Sequence, residues 1–159
     1  MIEIYTDGSC KGNGKNNAYG GWGFIAIING DEKEPYKKYG GEKNTTNNRM
    51  EMTAIIEACE SYGTLLSTFN KDDYCIIYMD SAYIHNCVSQ GWWKKWSING
   101  WINSKKEPVK NKDLWEKLIP YFENKNFSFE KVKGHAGHKY NEIADKLANS
   151  GTKFAEEYL

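Results

Sequence analysis

Two stretches of the chain, "IEIYTDGSC" at residues 2–10 and "CIIYMDSA" at 75–82, end an apolar run in a carboxylate and a small residue: Asp7 before Gly8, Asp80 before Ser81. Either acid alone reads as turn chemistry, and Asp80 alone suits the cap of a helix starting at 81. The pair points to a site, because ligands of open sheets bind beyond the carboxyl ends of the strands. Two further acids lie on predicted helix edges. Glu51 stands on the margin of a stripe made by Met52, Ile55, Cys59 and Tyr62. It reads equally as the end of a capping box, Asn48 to Glu51, that only reaches back to its own helix start. Asp145 borders the side of a later helix that carries Ala144 and Ala148, whereas Glu142 and Lys146 point outward.

Four hard oxygen donors brought together repel one another unless cations lie between them. That chemistry suits Mg²⁺ or Mn²⁺; zinc fits less well, since no Cys/His set has ligand spacing and the HxxH at 135–138 lacks further partners. Two such ions about 4 Å apart stabilise the attacking and leaving oxygens of a phosphoryl displacement. The expected reaction is metal-assisted phosphodiester cleavage. His135, set among glycines in "KGHAGHKYNE", is the expected proton handler, because an imidazole with a pKa of about 6.5 gives or takes a proton at neutral pH. His138 is expected to bond locally at a helix start, and His85 to be a structural or surface residue.

The elements that must position these residues follow from periodicity and turn signals. Residues 2–6, 21–28 and 34–40 read as strands joined by short Gly-rich or Asn-Gly turns, hence antiparallel neighbours. A helix from 48 ended by Gly63, a buried strand at 75–79, one helix across 81–96, a helix at 111–124, a strand at 127–132 and a helix at 140–149 stopped by "NSG" follow. A right-handed crossover would make strands 2–6 and 75–79 parallel neighbours and set Asp7 beside Asp80. The expectation is an α/β (α+β) fold: a mixed sheet with its first three strands antiparallel, then parallel, flanked by helices.

At 159 residues the chain is expected to form a single domain over 1–159 with no second unit. Its 21 Lys and Arg balance 21 Asp and Glu, so a polyanion must be met by a local patch. No apolar run is long enough to cross a bilayer and no leader pattern opens the chain, so no membrane association and a cytoplasmic location are expected. The four cysteines form no CxxC pair and read as reduced thiols, mostly buried.

With these residues in place the chain resembles a type I ribonuclease H, the endonuclease that cuts the RNA strand of RNA/DNA hybrids. The likeness rests on "TDGSC", "TTNNRME", "MDSAYI", "KKEPVKNKDLW" and "VKGHAGHKYNEIAD", in that order and at similar spacings over nearly the whole chain. It implies a ribonuclease H-like fold with a five-stranded mixed sheet and no separate hybrid-binding domain. It also implies metal-binding acids at Asp7, Glu51, Asp80 and Asp145, a loop histidine at His135, and two Mg²⁺ ions (or Mn²⁺) activating water for in-line attack. The implied products carry 5′-phosphate and 3′-hydroxyl ends. The rival functions are a hybrid-binding module that has lost its chemistry, and a DNA nuclease or integrase on the same fold; the full set of acids speaks against the first.

Telling RNA from DNA requires contact with the 2′-hydroxyl. Gly8, Ser9, Cys10 and Asn13 read as a loop that brings main chain close to the hybrid, with Asn47 just ahead of Glu51; turn chemistry alone also accounts for them. The resemblance favours hybrid contacts at Cys10, Asn13 and Asn47. Ala82 stands where family members often have a hybrid-reading glutamine. The segment "GWWKKWSINGWINSKKEPVKNKDLW" holds five of the six tryptophans and resembles the family's basic protrusion. Binding is assigned to its lysines, including Lys94 and Lys95, and to Trp93 or Trp101, while Trp92, Trp96 and Trp115 read as core anchors. Thr46 and Asn111 match a pocket that holds a DNA phosphate in relatives, although Asn44 stands where some have Arg. An RNA/DNA hybrid is the expected partner, with no obligate protein partner and a monomer as the default.

Overall fold

The computed structural model describes residues 1–66, 74–132 and 138–159. The strands are β1 (Ile2–Lys11), β2 (Tyr19–Ile28), β3 (Asp31–Lys43), β4 (Cys75–Met79) and β5 (Phe127–Lys131). The helices are α1 (Asn47–Leu66), α2 (Ala82–Gln90), α3 (Trp92–Asn99), α4 (Lys112–Phe122) and α5 (Lys139–Tyr158). Among the described residues the strands form one sheet in the order β3-β2-β1-β4-β5; the β3-β2 and β2-β1 pairs are antiparallel, β1-β4 and β4-β5 parallel. The mixed topology expected from the sequence is the one found.

Strand alternation divides the apolar residues between the two faces. Ile2, Ile4, Phe24 and Ala26 pack with Met52, Ile55 and Cys59 of α1, and with Leu114, Trp115 and Leu118 of α4, in the larger core. Tyr5, Ile25 and Ile27 meet Val132 and Ala144 on the other face, under α5. β2 is therefore covered on both sides, which is why "WGFIAII" is a continuous apolar run.

Several boundaries depart from the sequence reading. β1 does not stop at Thr6; it pairs with β2 as far as Lys11, so Gly8, Ser9 and Cys10 are strand and not loop. β3 is longer than expected for the same reason, since β2 offers it a partner along its whole length. α1 passes through Gly63 to Leu66, a glycine costing about 1 kcal/mol in a helix without necessarily ending it. The single helix expected over 81–96 is two: Gly91 adopts φ 68° and ψ 30°, and its N–H closes α2 onto Cys87 and Val88. "NSG" does not stop α5, which continues to Tyr158.

Gly151 within that triplet has a packing role. A Cβ on Gly151 would overlap the Gly40 carbonyl, and one on Gly21 or Gly41 would overlap the α5 main chain. The helix lies directly on sheet backbone, and side chains are excluded from the contact. Replacing a helical glycine by alanine ordinarily stabilises by about 1 kcal/mol. Gly151→Ala is expected to do the reverse, lowering stability by about 1–3 kcal/mol through overpacking, as read by urea or thermal unfolding; a stabilised variant would contradict this packing.

Candidate active site

β1 and β4 pair only from Ile2 opposite Cys75 to Tyr5 opposite Tyr78. Past that rung the Thr6 hydroxyl donates to the Tyr78 carbonyl at 2.9 Å, and β1 continues along β2 alone, with Asp7 opposite Gly23. Asp7 thus stands where β1 parts from β4. Asp80 directly follows Met79, the last residue of β4. The cap of α2 is Ser81, whose hydroxyl accepts the Ile84 N–H at 3.2 Å, so the capping alternative for Asp80 does not hold.

The two readings of Glu51 are likewise resolved. α1 is capped by Thr46, whose Oγ1 accepts the Arg49 N–H at 3.2 Å, and Glu51 is turned to the site. There it lies within electrostatic range of Asp7 on one side and Asp80 on the other, with the Ser81 hydroxyl close enough to oppose the rise in its pKa. The close approach has a cause in sequence: a Cβ on Gly8 would overlap the main chain at Met50 and Glu51. Glycine after Asp7 lets α1 rest on β1 and brings the second acid to the first.

Asp145, on the exposed side of α5, is the fourth member and comes within hydrogen-bonding reach of Asp7. Asn149 Nδ2 approaches its Oδ2 at 3.4 Å, and Asn149 Oδ1 accepts from the Ser9 hydroxyl at 2.9 Å. Sequence reasoning passed over Asn149; its place four residues after Asp145, on the same helix face, was the available signal. Ser81 was seen only as Asp80's neighbour, and its position directly after a strand-end acid was the clue to a second role.

The acids run as neighbours, Asp145 to Asp7 to Glu51 to Asp80. Among the described residues no three of Asp, Glu, His or Cys close into a ready-made cage. Burial pushes the Asp7 carboxyl up to about 7; the Gly8 N–H, at 2.8 Å, opposes the shift, and the charges of Asp145 and Glu51 add to it. Burial also raises Glu51 to about 7, with the Ser81 hydroxyl opposing and Asp80 adding. His135 lies outside the described residues. His138 caps α5, its Nδ1 accepting the Asn141 N–H at 3.3 Å, and its ring packs 5.1 Å from Tyr5.

The expected substrate residues fall into three groups. Asn13 Oδ1 accepts the Asn47 N–H at 3.0 Å, and the Cys10 thiol donates to the Thr45 carbonyl at 3.7 Å, tying the end of β1 and the turn after it to the start of α1. A hollow of ~540 Å³ opens there, lined by residues 14–17 and 44–46, Thr46 among them. Lys94 and Lys95 are exposed on α3. Lys95 also lines a ~580 Å³ groove with Tyr83, Trp92, Lys105 and Lys110. Trp93 is buried against Phe122, which removes it as a contact; Trp101 is half-buried, 6.3 Å from Trp96, and keeps some exposed surface.

Residues 1–153 match the model of the family described as RNase H. The chain belongs to the RNase H family. A ribonuclease H of Chromobacterium violaceum is 45% identical over 154 residues, 96% of this chain and 95% of that protein. One from a Thermoanaerobacter species is 40% identical over 96% of this chain and 90% of its own length. Among solved structures, LC9-RNase H1, described as a type 1 RNase H with the type 2 active-site motif, superposes with a TM-score of 0.75 at 28% identity, covering 97% of this chain and 72% of that one. As an RNase H the protein is a hydrolase, an endoribonuclease for RNA/DNA hybrids, of a family generally dependent on divalent metal.

In the unfolded chain Asp7 and Glu51 ionise near pH 4; folded and cation-free they ionise at about 7. The native state holds the extra protons in between, so the stability these acids contribute is complete below about pH 4 and lost as pH rises through about 7. In chelator, the melting temperature is expected to fall from pH 5 to pH 8 and to recover on adding Mg²⁺. Asp7→Asn should flatten that slope and raise the melting temperature at pH 8 by about 2–4 °C per kcal/mol of desolvation and repulsion relieved. A steeper slope or a less stable variant would contradict the electrostatic reading.

Proposed function

We propose that this RNase H cleaves the RNA strand of RNA/DNA hybrids at the carboxylate cluster, leaving 5′-phosphate and 3′-hydroxyl ends, with Asp7, Glu51, Asp80 and Asp145 as the metal-holding set. The observation that carries the reading is a row of neighbouring acids from four elements, two of which have pKa values raised to about 7, Asp7 by burial and the charges of Asp145 and Glu51, Glu51 by burial and the charge of Asp80. Such a donor set, all hard oxygen and without a cationic partner acting on Asp7 or Glu51 among the described residues, suits Mg²⁺ or Mn²⁺. Bound there, two ions would supply the charge that stabilises the attacking and leaving oxygens of an in-line displacement.

The chain's own residues do the rest of the work. Ser81 and the Gly8 N–H hold the Glu51 and Asp7 carboxylates in orientation. His135 hands a proton to the leaving 3′-oxygen. Ser9, Cys10, Asn13 and Asn47 meet the minor groove beside the acids, where the 2′-hydroxyl marks the RNA strand, and Gly8 keeps α1 close enough for that edge to form. Lys94, Lys95 and Trp101 follow the DNA strand, and Thr46 with Asn111 receives one of its phosphates. We further assign the protein to the cytoplasm, as a single domain acting as a monomer; its four thiols are free and no helix among the described residues is long and apolar enough to cross a membrane.

Labelled RNA/DNA, RNA/RNA and DNA/DNA duplexes, each incubated with Mg²⁺, Mn²⁺ or chelator, test this directly. Cleavage is expected for the hybrid alone and only with metal; an inert hybrid, or equal cleavage of all three, contradicts the proposal. Asp7→Asn should lose cleavage by at least ~100-fold while still binding the hybrid, and His135→Ala should slow it by about 10²-fold without abolishing it.

A further inference from the structure

Arg49 stands in the first turns of α1, two residues before Glu51, and touches both residues of the phosphate pocket just described. Its main-chain N–H donates to Thr46 Oγ1, and its guanidinium Nη1 donates to Asn111 Oδ1 at 3.2 Å. The same guanidinium forks onto Asp113 with bonds of 3.0 and 2.8 Å, a geometry that fixes its plane. That hydrogen-bonded pairing holds the Asp113 carboxyl below the usual carboxylate range. α1 and the start of α4 are therefore clamped together across 62 to 64 residues of chain.

The consequence for Asn111 is chemical. It sits at the N-terminus of α4 with φ 64° and ψ 30°, a left-handed conformation that asparagine tolerates, and its side chain does not cap the helix as asparagine there commonly does. Because a guanidinium only donates, the amide atom facing Arg49 must be the oxygen, which leaves Nδ2 with its two hydrogens to face elsewhere. The Thr46 oxygen accepts from the main-chain N–H of residue 49, a helix-cap contact independent of the guanidinium, and its own proton is available to donate. Of the two groups, only the Asn111 amide is oriented by the Arg49 side chain.

We propose that Arg49 is a positioning residue that fixes the Asn111 amide with its N–H₂ turned toward a phosphate seated beside Thr46, and sets the distance of that phosphate from Glu51. A DNA-strand phosphate seated there then places the RNA strand at the acids. Arg49 itself does not contact the phosphate, its charge being matched by Asp113. The inference rests on the reading of Thr46 and Asn111 as phosphate contacts.

Steady-state cleavage of a hybrid at saturating Mg²⁺ tests it. Asn111→Ala and Arg49→Gln should each raise KM roughly 10-fold; kcat of the Arg49 variant should stay within about twofold, since its defect lies in seating the duplex. The double variant should be no worse than Asn111→Ala, because both changes remove one contact. Arg49→Lys, which keeps charge and loses the fork, should recover little. Full additivity in the double variant, or a loss in kcat at constant KM, overturns the role assigned to Arg49. Unchanged KM in Asn111→Ala sinks the phosphate reading, and this proposal with it; raised KM there with none in Arg49→Gln overturns the Arg49 role alone. Should Arg49→Gln fail to fold, Asp113→Asn, which alters a largely exposed side chain, completes the same cycle with Asn111→Ala and is expected to raise KM about 2–3-fold.

Discussion

The burial of carboxylates beside one another is the constraint around which the site is arranged. Asp7 and Glu51 are partly withdrawn from water and lie in each other's field, with Asp145 and Asp80 at the two ends of the row. Isolated side chains would move apart to lower that energy. Here they are held by elements packed too closely to give way. α1 presses main chain to main chain on β1 at Gly8, and α5 does the same over Gly21 and Gly41 through Gly151. Glycines at helix–sheet contacts thus do for the acids what a rigid frame does for a loaded joint, and dispersion between backbones resists the separation that charge favours.

Around the acids the polar contacts are few and directional. The Gly8 N–H steadies Asp7, the Ser81 hydroxyl both caps α2 and faces Glu51, and Asn149 links Asp145 to Ser9. Among the described residues no cationic side chain appears among the groups that shift Asp7 or Glu51. Arg49, the cation nearest in sequence to Glu51, is turned instead to Asp113 and Asn111. On the proposed reading, ion pairing at the edge of the site, and its lack among the described residues at the centre, separates the phosphate seat from the metal-holding acids.

Much of this was legible in the residues. The parallel pairing of β1 with β4, which puts Asp7 and Asp80 at neighbouring strand ends, followed from the handedness of a crossover, and the strand order agreed with it. What escaped is a matter of glycine and of distance along the chain. "GSC" looks like a loop because Gly and Ser favour turns, yet β2 supplies a ladder that keeps it extended. "NSG" looks like a helix stop, yet the residue that breaks helices in isolation is required where α5 meets sheet backbone. The capping box at Glu51 was a sound local reading that lost to Thr46 and to the neighbouring acids. Trp93 belonged with the other core aromatics, since one helical face serves several rings at once. The Arg49 clamp joins residues more than sixty apart, which no local pattern encodes.

Proton release on metal binding tests the central claim most directly. If burial and the neighbouring carboxylates hold Asp7 and Glu51 at a pKa of about 7, binding Mg²⁺ or Mn²⁺ there at pH 7 must expel protons. Titration calorimetry in buffers of different ionisation enthalpy should find about one proton released per protein at pH 7, falling toward zero by pH 9. Asp7→Asn should reduce the release. Metal binding with no proton release at pH 7, or release unaltered by Asp7→Asn, would contradict the account.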